Sequence, residues 1–394
     1  MCVCALNAKP TENMKIYYDN IVFYLQKAGG VSNYWFELVR RALMNKANCL
    51  FIEQRSRSQN IFARKLRTDE TRCIRDGALP LGWQRYLPFP KKIEPFSIFH
   101  SSYYRVSSQK NVLNVVTVYD FVYEYFCRGL KKTIHHAQKA YALKKADGII
   151  CISENTKRDL LRLFPDIEEE MIAVIPLAAN EYFFPLNKVA DEVADSFPFL
   201  KKKYILFVGA RSPYKHFHAA VEVLSLLGDY MLVVVGGGGL NKKEIRYLDD
   251  SLGQRYYYVQ EASQEGLNHL YNFAFCLLYP SSYEGFGLPV LEALKSGCPV
   301  IAINASSIPE VCGKAGIMLD DAYVDGFVNA IKRLERKEFR KDIIRSGFLQ
   351  AENFSWDKAY DQTIKFYDAM ARKKWGVVLP SEDRVSDRPL WRAS

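Results

Sequence analysis

Short apolar runs alternate with longer amphipathic stretches along most of the chain, and this alternation restricts the fold more than any other feature. Residues 15–23 have the β-branched and aromatic composition of a strand, and Gly29 and Gly30 follow them. Residues 31–42 then place their large apolar side chains at helical spacing, so that they share one face. Strands that alternate with helices predict parallel sheets joined by crossover helices.

The alternation weakens between residues 177 and 203 and then starts again, which predicts two domains. We place the first domain at residues 14–185 and the second at 186–355. Each is expected to be an α/β domain of Rossmann type, with its own doubly wound parallel sheet. Two such domains should face each other across a cleft lined by the loops that follow the strands.

The end of the chain differs from the rest. Residues 356–372 predict an amphipathic helix. Residues 1–13 and 373–394 lack periodicity, so we expect a loose extension and a mobile tail there. The chain contains no run of about 18 or more apolar residues and its first residues do not resemble a secretory signal, so neither a membrane span nor export is predicted.

The chain carries an excess of basic side chains, with a formal net charge of +10. That excess favours an anionic partner, which could be nucleic acid, an acidic membrane surface or a phosphorylated substrate. No nucleic-acid-binding motif accompanies the charge, so we exclude nucleic acid. A basic, helical stretch at 128–145 and a second cluster with aromatic residues after it predict peripheral contact with an anionic membrane. The second cluster consists of Arg55, Arg57, Arg64, Lys65 and Arg67.

The cysteines point to a reducing compartment. Nine of them are scattered without a Cys-x-x-Cys pair, and no set of cysteine and histidine has the spacing of a zinc site. We therefore expect free thiols, no metal site and a cytoplasmic protein at the inner face of the cell membrane.

The loop and helix within residues 279–301 are the most informative part of the sequence about the kind of ligand that the protein binds. A strand-like run ends before a loop that carries Glu284, and a helix follows from Leu288. The free amides of Gly287 and Leu288 would form an anion site at the start of that helix. Glu292 lies eight residues after Glu284, so the two carboxylates can bind different hydroxyl groups of one ligand. Either carboxylate alone could merely favour the helix dipole, but the pair in a glycine-containing loop predicts a sugar site.

Three further loops that follow strands contribute candidate residues. Arg211 and Lys215 could neutralise a diphosphate as it leaves, although solvated loop cations are the alternative. The turn at Gly29 and Gly30 could cradle a phosphate, but it lacks the full G-x-G-x-x-G pattern. Asp120 ends a strand of the first domain and is expected to face the cleft.

These motifs together resemble family 4 of the retaining glycosyltransferases, which have the GT-B fold. The stretch EGFGLPVLE at 284–292 resembles the E-x7-E signature of that family, and FVGARSPYKHF resembles its diphosphate-binding loop. AGGVSN resembles the N-terminal glycine loop. ADGIICISENTKRDL, VIPLAAN and FSWDKAYDQTIKFYDAM are also similar, and in the family the last of these helices crosses back to the first domain. The resemblance runs from about Met14 to Arg372.

The resemblance implies a role for each candidate residue. Glu284 would contact hydroxyls of the donor sugar, and we place it with Asp120 in the catalytic centre. Glu292 would bind the ribose, and Arg211 with Lys215 would bind the donor diphosphate. The remaining donor-binding positions are Gly29, Gly30, Phe286, Gly287 and Leu288.

The family also implies a mechanism. Its members need no metal or other cofactor and keep the anomeric configuration, because the leaving phosphate helps to deprotonate the acceptor on the same face of the sugar. Many members have His-Asp where this chain has Tyr119 and Asp120. Tyrosine is not a base near neutral pH, so this site is expected to contact its donor sugar differently.

We therefore expect an enzyme that transfers a mannosyl or related hexose from a GDP- or UDP-sugar to a saccharide acceptor. The acceptor would be linked to a polyprenyl diphosphate, in the synthesis of O-antigen, capsule or exopolysaccharide. A nucleotide-sugar epimerase or a nicotinamide dehydrogenase is the first alternative, although a dehydrogenase should show G-x-G-x-x-G and an acidic residue about 20 positions later. A non-catalytic GT-B protein is the second, although loss of Glu284 or Lys215 would be expected of it.

Overall fold

The computed structural model describes residues 14–66, 68–77, 79–188 and 197–376. These residues build two parallel sheets, with helices between successive strands, so the predicted α/β architecture with two Rossmann-like sheets is confirmed. Arg67, the predicted extension and most of the predicted tail lie outside the described residues. None of the helices in the described part of the chain combines the length and apolar character that crossing a bilayer requires.

The first sheet contains seven strands. They are β1 Ile16–Asp19, β2 Cys49–Gln54, β3 Cys73–Asp76, β4 Ser97–Ser101, β5 Val112–Val118, β6 Gly148–Cys151 and β7 Ile172–Val174. The helices of this half are α1 Val22–Leu25, α2 Gly30–Met44, α3 Leu81–Gln84, α4 Val122–Phe126, α5 Gly129–Lys145 and α6 Glu154–Leu163. The strand order is β3-β2-β1-β4-β5-β6-β7, and Tyr18 lies opposite Phe51 in the parallel register of β1 and β2.

The second sheet contains six strands. They are β8 Tyr204–Val208, β9 Met231–Val235, β10 Tyr256–Val259, β11 Cys276–Tyr279, β12 Val300–Ile303 and β13 Ile317–Leu319. Its helices are α7 Phe217–Ser225, α8 Lys242–Leu252, α9 Gln264–Phe273, α10 Leu288–Lys295, α11 Ile308–Cys312, α12 Val324–Leu334 and α13 Lys337–Ala351, and α14 Trp356–Trp375 follows them. The strand order is β10-β9-β8-β11-β12-β13.

The order of the second sheet creates the position where a ligand can bind. The strand β8 lies between β9 and β11, so the connections from β8 and β11 leave the sheet in opposite directions. In open parallel sheets a crevice forms at such a point, beyond the carboxyl ends of the strands. The loop after β8 carries Lys215 and the loop after β11 carries Glu284, so the topology brings the two predicted residues to the same edge.

The core of the second sheet explains the composition of its strands. Helices cover the sheet, so central strands such as β9 are apolar along their length, without the alternation of a half-exposed strand. Side chains from the strands and the helices form one buried cluster, in which Val234 and Leu278 meet Leu224 and Phe327. This packing holds the carboxyl ends of β8 and β11 in fixed positions.

The chain forms two compact units. Of the described residues, one unit comprises those up to Val116 together with Lys145–Gly148 and those from Thr363 onward, and the other comprises those within Thr117–Lys144 and Ile149–Gln362. Helix α14 therefore begins in one unit and ends in the other. The domain boundaries given above stay a prediction.

The last turns of α14 pack within the first of these units. A Cβ at Gly148 would lie 2.9–3.0 Å from Met370 and Phe366, so the absence of a side chain there permits the close approach of the helix. The Tyr367 hydroxyl lies 2.5 Å from Nδ1 of His100, and burial lowers the pKa of His100 to about 3. These contacts make α14 part of the core around the first sheet.

The first strand is shorter than predicted. The run 15–23 was expected to be one strand, but β1 ends at Asp19 and the helix α1 begins at Val22. Polar side chains cause the break. The buried carboxylate of Asp19 accepts a hydrogen bond of 3.2 Å from Arg105, and the side chain of Asn20 bonds to the indole of Trp35 at 2.6 Å. The strand therefore ends where the chain enters a buried polar network, with Asp19 as its last residue.

Candidate functional site

The loop after β11 is held by hydroxyl groups from other parts of its unit. Ser153 and Thr156 donate hydrogen bonds to the carbonyl of Gly285, at 2.7 and 3.2 Å. Ser306 and Ser307 donate to the carbonyl of Glu284, at 2.6 and 2.9 Å. The loop is therefore fixed before any ligand binds, which favours a preorganised site.

The helix α10 begins immediately after this loop. Gly287 caps it with φ 102°, a left-handed conformation that favours glycine, and Pro289 occupies one of the first helical positions, where its missing N–H costs nothing. The first amides of a helix have no acceptor within the helix, and they point along its axis. Phe286, Gly287 and Leu288 lie at this terminus, and their predicted role in donor binding stays a prediction.

Glu284 and Lys215 form an ion pair at this terminus. Nζ of Lys215 lies 2.6 Å from Oε1 of Glu284, and both side chains are largely buried. The hydroxyl of Tyr279, at the end of β11, donates to the same oxygen at 2.8 Å. Lys215 stands in a single 3-10 turn that ends at His216 in a left-handed conformation. The structure therefore brings together two residues that are 69 positions apart in the chain.

Arg211, predicted to bind the diphosphate with Lys215, contacts the glycine loop that follows β9. Its Nε donates to Glu244 at 2.8 Å, and its two terminal nitrogens donate to the four carbonyls of residues 236–239 at 2.9–3.3 Å. A Cβ at Gly237 would lie 2.7 Å from Nη1 of Arg211, so this loop needs glycine there. The arginine holds the glycine loop after β9. Sequence reasoning missed this contact.

Glu292 lies in the second turn of α10. The hydroxyl of Tyr271 donates to its Oε2 at 3.0 Å. Burial raises the pKa of Glu292 to about 7, and the hydrogen bond from Tyr271 opposes that rise. The charges of Glu284 and Glu292 both help to raise the pKa of Tyr279, after burial as the main cause, so this hydroxyl group lies near both signature carboxylates. A ligand whose hydroxyl groups donate hydrogen bonds to Glu292 would favour its ionised form.

Asp120 adjoins the signature loop. A Cβ at Gly285 would lie 2.0 Å from the carbonyl oxygen of Tyr119 and 3.1 Å from Cβ of Asp120, so only glycine permits this contact. The carboxylate of Asp120 caps α4 by accepting from the amide of Val122 at 3.0 Å. Burial raises the pKa of Asp120, and the nearby Lys139 opposes the rise. The structure thus places Asp120 beside Gly285, the residue after Glu284, and the shared catalytic centre stays a prediction.

Lys139 is a residue that sequence reasoning missed. Its side chain is 2% exposed, and Nζ donates to the carbonyl of Asp120 at 2.8 Å and to Oε2 of Glu124 at 2.9 Å. Nζ also lies 4.2 Å from the centre of the Phe121 ring. Lysine in the middle of a basic helix gives no local signal of burial. It therefore looked like one of many solvated charges.

Gly29 and Gly30 belong to the other unit and are described separately. Gly29 caps α2, and its carbonyl accepts from the amide of Asn33 at 2.9 Å and from the hydroxyl of Ser32 at 3.0 Å. A Cβ at Gly29 would lie 2.2 Å from Oε1 of Gln26. The predicted turn between strand and helix is present in altered form, because α1 lies between β1 and the 15-residue helix α2. That Gly29 and Gly30 bind a phosphate stays a prediction.

Two family models match the chain. The model described as Glycosyltransferase Family 4 matches residues 28–181, and the model described as Glycosyl transferases group 1 matches residues 190–350. The chain belongs to these glycosyltransferases. The predicted family is thereby confirmed, and the two models together reach from α2 to α13.

Curated relatives point in the same direction. The chain is 30% identical to O-antigen chain mannosyltransferase B of Escherichia coli over 61% of this chain and 64% of that protein. It is 27% identical to O-antigen chain mannosyltransferase RfbU of Salmonella typhimurium over 50% of this chain and 53% of that protein. The matched stretches thus span less than two thirds of either relative.

Solved structures confirm the GT-B fold. Sucrose-phosphate synthase from Thermosynechococcus elongatus matches with a TM-score of 0.72 at 19% identity, covering 91% of this chain and 99% of that one. The HepE protein of Anabaena, solved in complex with UDP and glucose, matches with a TM-score of 0.67 at 14% identity, covering 90% and 99%. At these identities the likeness concerns the fold alone.

Proposed function

We propose that this glycosyltransferase moves a mannosyl or related hexose from a nucleoside diphosphate sugar to a saccharide acceptor, with retention of the anomeric configuration and without a metal. The observation that carries the proposal is the ion pair of Glu284 and Lys215 at the N-terminus of α10. The carboxylate suits the hydroxyl groups of the donor sugar, and the cation suits the diphosphate. The helix terminus suits the negative charge that develops on the diphosphate as it leaves.

The ion pair suggests how the donor is received. Lys215 donates to Glu284, and a diphosphate at the start of α10 would offer it a more highly charged acceptor. Glu284 would then accept from hydroxyls of the donor sugar instead, while Tyr279 keeps its orientation. As the sugar leaves, Lys215 and the helix terminus stabilise the charge that develops on the diphosphate.

Other predicted residues support this centre. Glu292 would accept hydrogen bonds from the ribose hydroxyls. Arg211 would act on the diphosphate through the glycine loop at 236–239, because its nitrogens already donate to that loop and to Glu244. Asp120, beside Gly285, would lie near the reacting carbon. The leaving phosphate oxygen would take the acceptor proton on the same face, so no enzymic nucleophile is needed.

The sugar and pathway are inferred from the relatives. Both curated proteins described above act as O-antigen chain mannosyltransferases, by their names, which favours mannose and the synthesis of a surface polysaccharide on a polyprenyl diphosphate carrier. HepE was solved in complex with UDP and glucose, which favours a nucleoside diphosphate donor without deciding between guanine and uracil for this chain.

The donor is tested by thermal unfolding with GDP, UDP and their mannose and glucose conjugates. A ligand at about 100 times its Kd adds about 2.7 kcal/mol of stability and raises Tm measurably. We expect a rise with one nucleoside diphosphate, lost in Lys215→Ala and retained in Lys341→Ala, an exposed lysine of the same unit. A rise with nicotinamide dinucleotide alone, or no rise at all, would contradict the proposal.

The transfer step is tested with Glu284→Gln. This variant keeps the size of the side chain and removes its charge, so nucleoside diphosphate binding should persist while transfer falls by at least about 100-fold. Proton NMR of the product, made by the wild type from an α-linked donor, should show an α linkage. A β-linked product, or wild-type turnover in the variant, would contradict the mechanism.

We also propose that α5 holds the protein at an anionic membrane on the cytoplasmic side. Leu130, Ile134 and Tyr141 are 80%, 49% and 43% exposed, and their spacing of four and seven residues places them along one stripe. Lys131 and Lys144 are exposed on the same helix, which contains no acidic residue. Apolar and basic side chains together suit the interface of a bilayer with anionic headgroups.

This contact is tested by co-sedimentation with vesicles of phosphatidylglycerol and, as a control, phosphatidylcholine. We expect Leu130→Ser with Ile134→Ser to reduce binding to the anionic vesicles and Lys131→Gln to make the remaining binding less sensitive to salt. The other predicted surface is tested by neutralising Arg55, Arg57 and Arg64. Unchanged binding in the serine variant would exclude α5 as the membrane surface.

A further inference from the structure

Four aromatic side chains form a cluster beside the candidate site in the same unit. Tyr125, Phe126, Tyr214 and Tyr283 are called the aromatic cluster here. The centre of the Phe126 ring lies 4.7 Å from that of Tyr214 and 5.6 Å from that of Tyr283, and Tyr125 lies 5.4 Å from Tyr283. Phe126 is nevertheless 45% exposed. The ring of Phe126 therefore packs against aromatic neighbours on one side and is open to solvent on the other.

The aromatic cluster adjoins the proposed centre in three places. Tyr214 directly precedes Lys215, and Tyr283 directly precedes Glu284, so both tyrosines flank the ion pair. Phe126 ends the short helix that Asp120 caps. The hydroxyl of Tyr214 is also close enough to Glu284 and Asp120 for their charges to help raise its pKa to about 12, after burial as the main cause. The cluster thus borders the place where sugar transfer is proposed.

Hydrogen bonds hold the aromatic cluster in one arrangement. The hydroxyls of Tyr125 and Tyr283 each donate to the carboxylate of Asp159 at 2.8 Å. The Tyr283 hydroxyl accepts from the amide of Phe121 at 3.0 Å, and the amide of Ser282 donates to the carbonyl of Tyr214 at 2.8 Å. A surface fixed in this way needs no ordering when a ligand arrives, which favours binding.

The chemistry of the surface selects a sugar ring. A pyranose presents C–H groups on one face, which pack on the negative face of an aromatic ring, while its hydroxyl groups seek carboxylates. Phe126 supplies the aromatic face, and Asp120 and Glu284 supply nearby acceptors. The polar groups proposed for the donor come from the loops after β8 and β11, whereas Phe126 comes from α4. A pyranose ring on Phe126 would be a second ring, beside the donor sugar that Glu284 is proposed to bind.

We infer that Phe126, supported by Tyr214 and Tyr283, is a stacking surface for a pyranose ring of the acceptor saccharide. This inference rests on the proposed function, because it takes the neighbouring carboxylates to be the transfer centre. It assigns a specificity-determining role to Phe126, a residue outside the signature loops.

Saturation-transfer NMR tests the inference on the full chain loaded with the nucleoside diphosphate that stabilises it. The probes are the methyl α-glycosides of mannose, glucose, galactose and N-acetylglucosamine. We expect at least one to show contact through its ring protons, with a Kd raised about 5- to 10-fold by Phe126→Ala, as the loss of one aromatic contact implies. Phe126→Tyr should restore binding, and Phe126→Leu, which keeps the packing on Tyr214, should not.

Tyr323→Ala is the matched control, since Tyr323 is an aromatic residue of the same unit that is 75% exposed away from the cluster. It should leave the Kd unchanged. The inference is overturned if the wild type binds no saccharide, or if wild type and Phe126→Ala bind it equally well. It is also overturned if the nucleotide raises Tm less in Phe126→Ala than in the wild type, because Phe126 would then contact the donor. Failure of the proposed function is distinct, because then no nucleotide stabilises the wild type.

Discussion

Lys139 allows a quantitative test of how Asp120 is held. Its ammonium group is buried between the carbonyl of Asp120 and the carboxylate of Glu124, whose side chain is also 2% exposed. We choose Lys139→Met, because methionine keeps a long flexible side chain in a buried position and removes only the charge. The expected result is a large loss of stability in the unit that contains these residues.

The magnitude follows from the burial of the partner. Removing one member of a buried ion pair leaves the other charge uncompensated and costs about 3–5 kcal/mol. For a unit of this size, that corresponds to a fall in Tm on the order of 10 °C. The double variant Lys139→Met with Glu124→Met removes both charges, and such replacements are often close to neutral, so it should recover most of the lost stability.

Two measurements are made. Thermal unfolding gives Tm, and hydrogen exchange of the amides in residues 117–144 reports the local loss of stability. A matched control is Lys341→Met, because Lys341 forms an ion pair with Glu338 at 2.8 Å in which both side chains are at least 70% exposed. That variant should lose less than about 1 kcal/mol. The reasoning is refuted if Lys139→Met melts within about 2 °C of the wild type, or if the double variant is no more stable than the single one.

Three further predictions concern the signature loop and its surroundings. The raised pKa of Glu292, about 7, means that the folded state binds its proton more tightly than the unfolded state, so this residue's contribution to stability falls as pH rises from about 4.5 to 7. Glu292→Gln should therefore be more stable relative to wild type at pH 8 than at pH 5, by up to about 3 kcal/mol, and an equal Tm difference at both values would contradict this. Gly285→Ala should abolish transfer and lower Tm, because its Cβ would lie 2.0 Å from the carbonyl oxygen of Tyr119, and crystals with an unmoved loop would disprove the clash. Arg211→Met should speed hydrogen exchange in residues 236–239 at least about 10-fold and weaken nucleotide binding, whereas exchange at the wild-type rate would show that the loop holds itself.

The sequence was sufficient to predict the architecture and the signature loop. Buried parallel strands are apolar along their length, and glycine with proline marks the beginning of α10, so both features can be read from neighbouring residues. The placement of Glu284 and Lys215 at one edge of the sheet also followed, because the loops after β8 and β11 meet at the reversal of strand order. Their direct ion pair was not predicted. The resemblance to the family added the roles, which local patterns alone do not give.

The partners that hold the site could not be predicted, because they come from distant parts of the chain. The hydroxyl of Ser306 bonds to Glu284 across 22 positions, and small hydroxylated residues occur in most loops. Arg211 and Lys139 lie in basic stretches where solvated side chains are the usual outcome. Only the fold places carbonyl groups and carboxylates around them. The reacting groups can therefore be predicted from sequence spacing more easily than the groups that hold them in position.

The division of the chain between its two units has a consequence for synthesis on the ribosome. The strands of the first sheet are complete once Val174 has been made, but Phe366, Tyr367 and Met370, which pack against Gly148 and His100, emerge about 190 residues later. At ordinary elongation rates that interval lasts roughly 10–40 s. During this time the second sheet can be completed while the first unit still exposes the apolar surface that α14 will cover. Nascent chains should therefore depend on chaperones until translation reaches the final helix.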